Sequence, residues 1–303
     1  MVFLSKEEDK QKKVLVTGAD GFTGRYLTSV LSEKGFIVAG LGGEDTKDPS
    51  VTPCDLSNKN EVNAVLEKIC PDYVVHLAAV SFVGESDIES FYRVNLFGTL
   101  NLLEALSSQN PSPCKIVVAS SANVYGSPKV ETIDESVCPA PINHYANSKL
   151  AMEHMVRTWF DRLPIIITRP FNYTGPGQSE RFLIPKIVGH FKRKEKTISL
   201  GNTDVSRDFS DVKDVVECYV RLLTSDVRSV IVNICSGNAV SLDEVIKIMN
   251  EIAGYEISVE VNQELIRPNE IRSLKGNNQL LKNLINFAPE TPFEKILQRM
   301  YLY

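Results

Sequence analysis

Residues 143–149 read NHYANSK and place Tyr145 four positions ahead of Lys149. On a helix such positions share a face, so a phenol and an ammonium would project together. Tyrosine ionises at about pH 10, too high for a base at neutrality. A neighbouring cation stabilises the phenolate and lowers that value. Taken alone, the pair equally suits a surface contact at a helix start. The stretch KIVVASSANVYG bears on the choice, because it sets Ser120 and Ser121 at the end of an apolar run. A hydroxyl there, beside the phenol and ammonium, makes a proton-transfer set. No histidine is required, which separates it from an acyl-transfer triad.

A second kind of chemistry is suggested near the N-terminus. The apolar run KVLV leads into TGADGFTG, which spaces Gly18, Gly21 and Gly24 at G-x-x-G-x-x-G. Glycines in a strand–turn–helix setting let backbone amides approach a diphosphate at the N-terminus of the following helix. The alternative is a merely structural loop. The next apolar run ends VAGLGGED. An acid there would accept the ribose 2′-hydroxyl of NAD, and an arginine would take the 2′-phosphate of NADP. Leu41, Gly42 and Gly43 hold those places and Glu44 comes slightly late, so neither sign is given. Asp55, in CDLS, suits either contact with an adenine amino group or the cap of a helix.

These residues need a frame, and the hydrophobic pattern supplies one. Strand-like runs at KVLVTG, FIVAGL, DYVVHLAA, KIVVASS and PIIITRP alternate with helical patterns at 25–35, 59–69, 91–109 and from Tyr145. That alternation predicts an α/β fold, a doubly wound parallel sheet of the Rossmann type covered on both faces. It also places Ser121 and the glycine loop at the C-terminal ends of strands, where such sheets assemble sites. Beyond Pro170 the texture changes. FNYTGPGQ is turn-rich, 184–194 is helical, TISLGN is a short strand, 205–223 returns a strand and helix, and VIVNICSG is another strand. The tail from about 240 carries two further helical patterns and a loop at RPNE. The expected organisation is a solvated leader at 1–12 and a dinucleotide domain at 13–170 plus about 204–237. A smaller interleaved C-terminal substrate lobe takes 171–203 and 238–303.

Composition excludes several classes. A chain of 303 residues, 43% hydrophobic and 23% charged, can bury a full core without disulfides or metals. Its net charge of −5 argues against a nucleic-acid partner. Six scattered cysteines, with no C-x-x-C and no clustered histidines, read as reduced thiols in a cytoplasm, without a metal site. The start, MVFLSKEEDKQKK, lacks the apolar run of a signal peptide, and no stretch of about 18 apolar residues would span a membrane.

In order along almost the whole chain, TGADGFTG, HLAA, VNLFGT, SSANVYG, YANSK, RPFNYTGPGQ and SRDFSDVKDV resemble the extended short-chain dehydrogenase/reductase family. That resemblance implies NADPH or NADH as cofactor. It gives Tyr145 as the catalytic acid/base, Lys149 as the residue holding the nicotinamide ribose and tuning Tyr145, and Ser121 as the hydrogen-bond partner of the reacting oxygen. Ser120 looks like a strand-end neighbour. It further implies a cofactor lining of Gly18, Asp20, Gly21, Phe22, Thr23, Gly24, Asp55, Leu56, Leu77, Ala78, Ala79 and Asn95, with Tyr145 and Lys149. The substrate half is most similar to the nucleotide-sugar reductases acting on GDP-4-keto-6-deoxy-D-mannose. Ser81, Ser121, Asn123, Asn172, Lys186, Arg207, Arg267 and Glu270 would then meet a GDP-sugar, arginine suiting the diphosphate by its fork. An ion pair with Asp208 or Asp211 is the other reading of Arg207. Related 4,6-dehydratases carry acidic residues where this chain has Ala122 and Asn123, which argues against dehydration. A nucleotide-sugar 4-epimerase keeping NAD bound would show the same Ser–Tyr–Lys set, and a non-catalytic dinucleotide sensor is a third reading. The family also implies a homodimer built on the helices at 90–108 and 145–161.

Overall fold

The computed structural model describes residues 11–81, 87–266 and 271–303. Seven parallel strands form the large sheet. From edge to edge they run Val230–Ile234, Ile165–Pro170, Lys115–Ala119, Tyr73–His76, Lys13–Thr17, Ile37–Gly42 and Val51–Pro53. The chain begins in the middle, winds to one edge, then returns and winds to the other. The direction reverses between Lys13–Thr17 and Tyr73–His76, and the strand ends beside that reversal frame a crevice.

Side-chain alternation divides the core. Val14, Val16, Val75 and Val117 face one layer, where Leu27 and Leu31 of helix Phe22–Glu33 meet Val215, Val216 and Leu222 of helix Val212–Thr224. Leu15, Val74, Ile116 and Val118 face the other, against helices Lys59–Ile69, Thr99–Ser107 and His144–Arg157. Both faces are apolar, as a sheet covered on two sides requires. Each fully buried Val or Leu of these layers contributes about 1.5–3 kcal/mol.

Local signals explain where the helices begin. Asn58, rather than Asp55, caps Lys59–Ile69, its side-chain oxygen accepting from the amides of Asn60 and Glu61. Asn143 caps His144–Arg157 by accepting from the Ala146 amide at 2.8 Å. His154 and Arg157 in its last turn suit the negative end of the helix dipole.

The second lobe differs from expectation in detail. Strand Ser206–Asp211 does not enter the large sheet. It joins Ala239–Ser241, Ser273–Leu274 and Asn172–Thr174 in a small one, while the following helix, Val212–Thr224, packs on the large sheet. The stretch 204–237 is therefore divided between the lobes. Asp208 fixes the small-sheet strand from within, accepting from the amides of Ser236, Gly237 and Gly276. Asn172–Thr174 and Val51–Pro53 are strands of three residues, too short for periodicity to reveal. Among the described residues the tail holds three α-helices, Leu242–Ala253, Gln279–Ile285 and Phe293–Leu302. The first and last close a separate core with helix Leu183–Lys192, through Ile187, Phe191, Val245, Met249, Leu297 and Met300. No helix among the described residues is long and apolar enough to cross a membrane.

Candidate active site

The glycine loop lies at the strand reversal. Gly18 has φ +69°, and a Cβ there would sit 2.9 Å from the Ala78 amide nitrogen. A Cβ on Gly24 would lie 2.1 Å from the Gly18 carbonyl oxygen, so the loop can close onto the helix only without that side chain. Helix Phe22–Glu33 then starts at Gly21 with no side-chain cap, leaving its first amides to a ligand such as a diphosphate. This cradle, which a single methyl would fill, fits a dinucleotide. Asp20 reaches the end of the second strand, where a Cβ on Gly42 would meet its carboxylate at 2.8 Å. The acid that the sequence left in doubt around Glu44 is thus brought there from the glycine loop. Phe22 and Thr23 turn toward the second lobe: Phe22 stacks on Tyr173 at 6.3 Å, and Thr23 Oγ1 lies 2.8 Å from the Tyr173 hydroxyl. Asp55 closes a turn on itself, accepting from the amide and hydroxyl of Ser57, and Leu56 is buried against Gly98.

A buried strut joins this loop to the catalytic-type helix. Thr99 Oγ1 donates to the Asn95 carbonyl at 2.7 Å, so it must accept from His76 Nε2 at 2.8 Å. His76 Nδ1 then accepts from Thr17 Oγ1 at 2.7 Å, and the ring is neutral. Burial agrees, pushing His76 down to about 3, with the Lys149 charge adding to the effect. Asn95 sits in a wide π-type turn, Arg93–Gly98, that re-aims its amide. Its Oδ1 accepts from Val80 N at 2.9 Å, and its Nδ2 donates to Ser148 Oγ at 3.0 Å. Leu77, Ala78 and Ala79 follow the strand end between these anchors, with Leu77 N donating to Thr17 O at 3.2 Å.

Ser121, Tyr145 and Lys149 converge at the C-terminal edge of the sheet, and all three are buried. Ser121 lies close enough to the Tyr145 phenol to favour its ionised form, and the Ser121 oxygen accepts from Asn123 N at 3.2 Å. Lys149 Nζ donates to the Ala119 carbonyl at 2.9 Å. The expected lowering of the phenol by Lys149 is not seen in this state. Burial pushes Tyr145 up to about 12, with Ser121 pulling the other way. Lys149 is lowered to about 8 by its own burial, against the pull of Glu153. Both groups have lost water, and that loss disfavours the charged form of each. At neutral pH the site therefore offers a neutral phenol, able to give a proton, beside an ammonium.

The other expected substrate residues scatter around this centre. Asn123 is half-buried in the turn after Ser121, while Ser81 and Asn172 are exposed. Lys186 Nζ donates to the Ser199 carbonyl at 2.7 Å, and Arg207 Nη1 to Ser206 O at 2.9 Å. Asp211 is taken by Arg299 and Asp208 by backbone amides and the Ser236 hydroxyl. Arg267 and Glu270 lie outside the described residues. Sequence reasoning missed Glu153, Arg169, His76 and Tyr173. Glu153 carried a signal, standing one further turn along the Tyr145–Lys149 face, and the other three lie inside the family-like stretches HLAA and RPFNYTGPGQ.

The chain matches the family profile described as GDP-mannose 4,6 dehydratase over residues 15–300. It is 38% identical over 291 residues to GDP-6-deoxy-D-talose 4-dehydrogenase of Aggregatibacter actinomycetemcomitans, covering 95% of this chain and 97% of that one. It is 32% identical over 298 residues to GDP-6-deoxy-D-mannose reductase of Pseudomonas aeruginosa, covering 95% of each. Among solved structures, RMD from Pseudomonas aeruginosa complexed with NADPH superposes with a TM-score of 0.84 at 31% identity, over 96% of this chain and 97% of that one. Thermus thermophilus UDP-glucose 4-epimerase in complex with NAD gives 0.85 at 27%, over 95% and 97%. With this loop, this sheet and this extent of likeness, the chain belongs to the GDP-mannose 4,6-dehydratase family of extended short-chain dehydrogenases/reductases, enzymes that use nicotinamide cofactors.

Proposed function

We propose that this enzyme reduces the C4 ketone of a nucleotide-activated 4-keto-6-deoxy sugar, converting GDP-4-keto-6-deoxy-D-mannose to GDP-D-rhamnose with NADPH or NADH. The observation that carries the reading is the buried convergence of Ser121, Tyr145 and Lys149, beside Ala122 and Asn123 in place of acids. A nicotinamide cofactor held by its diphosphate at the glycine loop would supply the hydride. Ser121 holds the ketone oxygen, and Tyr145 gives its proton to the alkoxide as that charge develops. Lys149 keeps a positive charge near the developing anion and holds the ribose. Because burial holds Tyr145 protonated at neutral pH, the phenol can supply the proton that a reduction needs. A dehydratase needs an acid for the departing hydroxyl and a base for the adjacent proton. Buried Ala122 has no such group, and the Asn123 amide does not titrate in the useful range. Lys186 and Arg207, in the second lobe, would meet the diphosphate.

A second product is favoured by one comparison, since the relative at 38% identity is named for 6-deoxy-talose, the C4 epimer of rhamnose. The test is to supply purified protein with GDP-4-keto-6-deoxy-D-mannose and NADPH. A product two mass units heavier, with stoichiometric cofactor oxidation, is expected, and proton couplings at C4 then separate rhamno from talo. Recovery of the keto sugar without net cofactor oxidation would overturn the reading, and inversion at C4 of a 4-hydroxy nucleotide sugar without net cofactor turnover would instead mean a 4-epimerase. Six free cysteines support a cytoplasmic setting. Phe97, 55% exposed on the 88–107 helical segment, supports a homodimer formed through that segment and the Tyr145 helix.

A further inference from the structure

We propose that Glu153, clamped by Arg169, is a positioning residue for the reaction: it locks the strand end bearing Ser121 to the helix bearing Tyr145 and Lys149, and sets an anion beside the Lys149 ammonium. The proposal rests on the Ser–Tyr–Lys reading of the site.

Three elements meet at this one carboxylate. Glu153 stands one helical turn beyond Lys149 and two beyond Tyr145, on the same face. It is 1% exposed, and Arg169 is 4% exposed. Arg169, on the neighbouring strand Ile165–Pro170, grips it from Nε to Oε1 at 2.9 Å and from Nη2 to Oε2 at 2.6 Å. Ser120 Oγ donates to the same Oε1 at 2.5 Å. Ser120 is the residue between Ala119, whose carbonyl takes Lys149, and Ser121. A shift of Glu153 would therefore move both ends of the set. Arg169 is itself steadied over the Tyr125 ring at 4.8 Å, and Tyr125 donates to Asn233 Oδ1 at 2.8 Å. This support would be expensive as stability alone, because a buried ion pair gains little over apolar packing. Its place against Lys149 gives it a use.

Charge supplies the second argument. Lys149 is faced on its own helix by Tyr145 and Glu153, and from strand Tyr73–His76 by neutral His76. Arg169 pairs with Glu153, and the phenols of Tyr173 and Tyr219 lie near Tyr145, both raised by burial and so uncharged. Glu153 is thus the anion that opposes the loss of the Lys149 proton. Replacing it by glutamine keeps the shape and an acceptor for Ser120, but leaves Arg169 as an unbalanced cation.

NADH binding, read by fluorescence without any sugar, tests this on the full chain across pH. Wild type should hold NADH evenly to about pH 8 and weaken above it, as Lys149 loses its proton. In Glu153→Gln the same weakening should begin about one pH unit lower, a roughly fivefold poorer affinity at pH 8, with Glu153→Asp recovering part of the loss. A purely structural role would lower affinity equally at every pH, and an unshifted profile in a folded Glu153→Gln would overturn the proposal. Should Glu153→Gln not fold, Ser120→Ala decides by removing only the hydroxyl tie. At least a fivefold fall in kcat with NADH affinity unchanged supports the lock, and wild-type kcat overturns it. Failure of wild type to bind NADH at all would instead sink the site reading beneath.

Discussion

The Tyr145 phenol, buried and held protonated at neutral pH, is the proton the reduction would use. Tyr145→Phe keeps the ring and removes the donor, so turnover should fall by about 10²–10⁴, the span of general acid–base catalysis. The same variant should bind NADH normally, and near wild-type turnover would remove Tyr145 from its role. The Lys149 charge is present below about pH 8 and lost as pH rises through that value, because burial lowers it. Lys149→Met should therefore bind NADH weakly at every pH and lose the alkaline fall seen in wild type. Asp20 concerns the other end of the cofactor. Its carboxylate, close to Gly42, would repel a 2′-phosphate and would accept from a ribose hydroxyl. NADH should bind more tightly than NADPH, and Asp20→Asn should narrow the gap by about fivefold, the factor for ~1 kcal/mol between unit charges at contact in water. Equal ratios in variant and wild type would place the 2′-position elsewhere.

Elements hold these residues to their places, and two are open to test. The turn at Gly18–Gly24 is closed so tightly that Gly24→Ala must push apart the loop and its helix, the new methyl facing a carbonyl oxygen 2.1 Å away. Loss of measurable NADH binding is expected, with the circular dichroism of the rest of the fold retained. The helix bearing Tyr145 depends on Asn143, the residue before it. Removing that cap with Asn143→Ala should cost ~1 kcal/mol of stability by chemical denaturation, and should weaken catalysis through the first turn that carries the phenol. The buried strut of Thr17, His76, Thr99 and Asn95 does similar work between strand and helix. It rests on a histidine that is neutral at any physiological pH, so it supplies rigidity without a pH response.

For the molecule as a whole, the two predictions concern what it makes and how it assembles. Purified protein given GDP-mannose and NADP⁺ should yield no 4-keto-6-deoxy sugar, although the family profile bears the dehydratase name. Appearance of the keto sugar at about 1 s⁻¹, the low end for enzymes, would overturn the assignment. Assembly turns on the outer face of the helical segment at 88–107, where Ile88 and Phe97 are exposed. Light scattering should report a dimer at micromolar concentration and a monomer for Phe97→Asp. A wild-type monomer would count against the shared helical face.

Local chemistry was legible in the residues themselves. The spacing of Gly18, Gly21 and Gly24, the i,i+4 step from Tyr145 to Lys149 and the strand end at Ser121 each follow from nearest-neighbour geometry, and so does the order of strands and helices around them. Short hydrophobic runs also declared the layered sheet, because burial on both faces leaves few polar positions to confuse the pattern. What lay beyond the sequence was decided by contacts between distant segments. Asp20 is twenty-two residues from Gly42, and only the folded loop brings the two together. Glu153 and Arg169 sit sixteen apart on a helix and a strand, and nothing in either stretch announces that they pair. The strand Ser206–Asp211 reads like any other, yet Asp208 ties it to amides near 236 and 276 and draws it into the small sheet. The direction of the Tyr145 shift was likewise set by the fold, since spacing brings a cation near but only packing determines how much water is lost. Periodicity reports which face of an element is buried; it holds no record of which element covers it, and charge, hydrogen bonding and solvation at this site all depend on that.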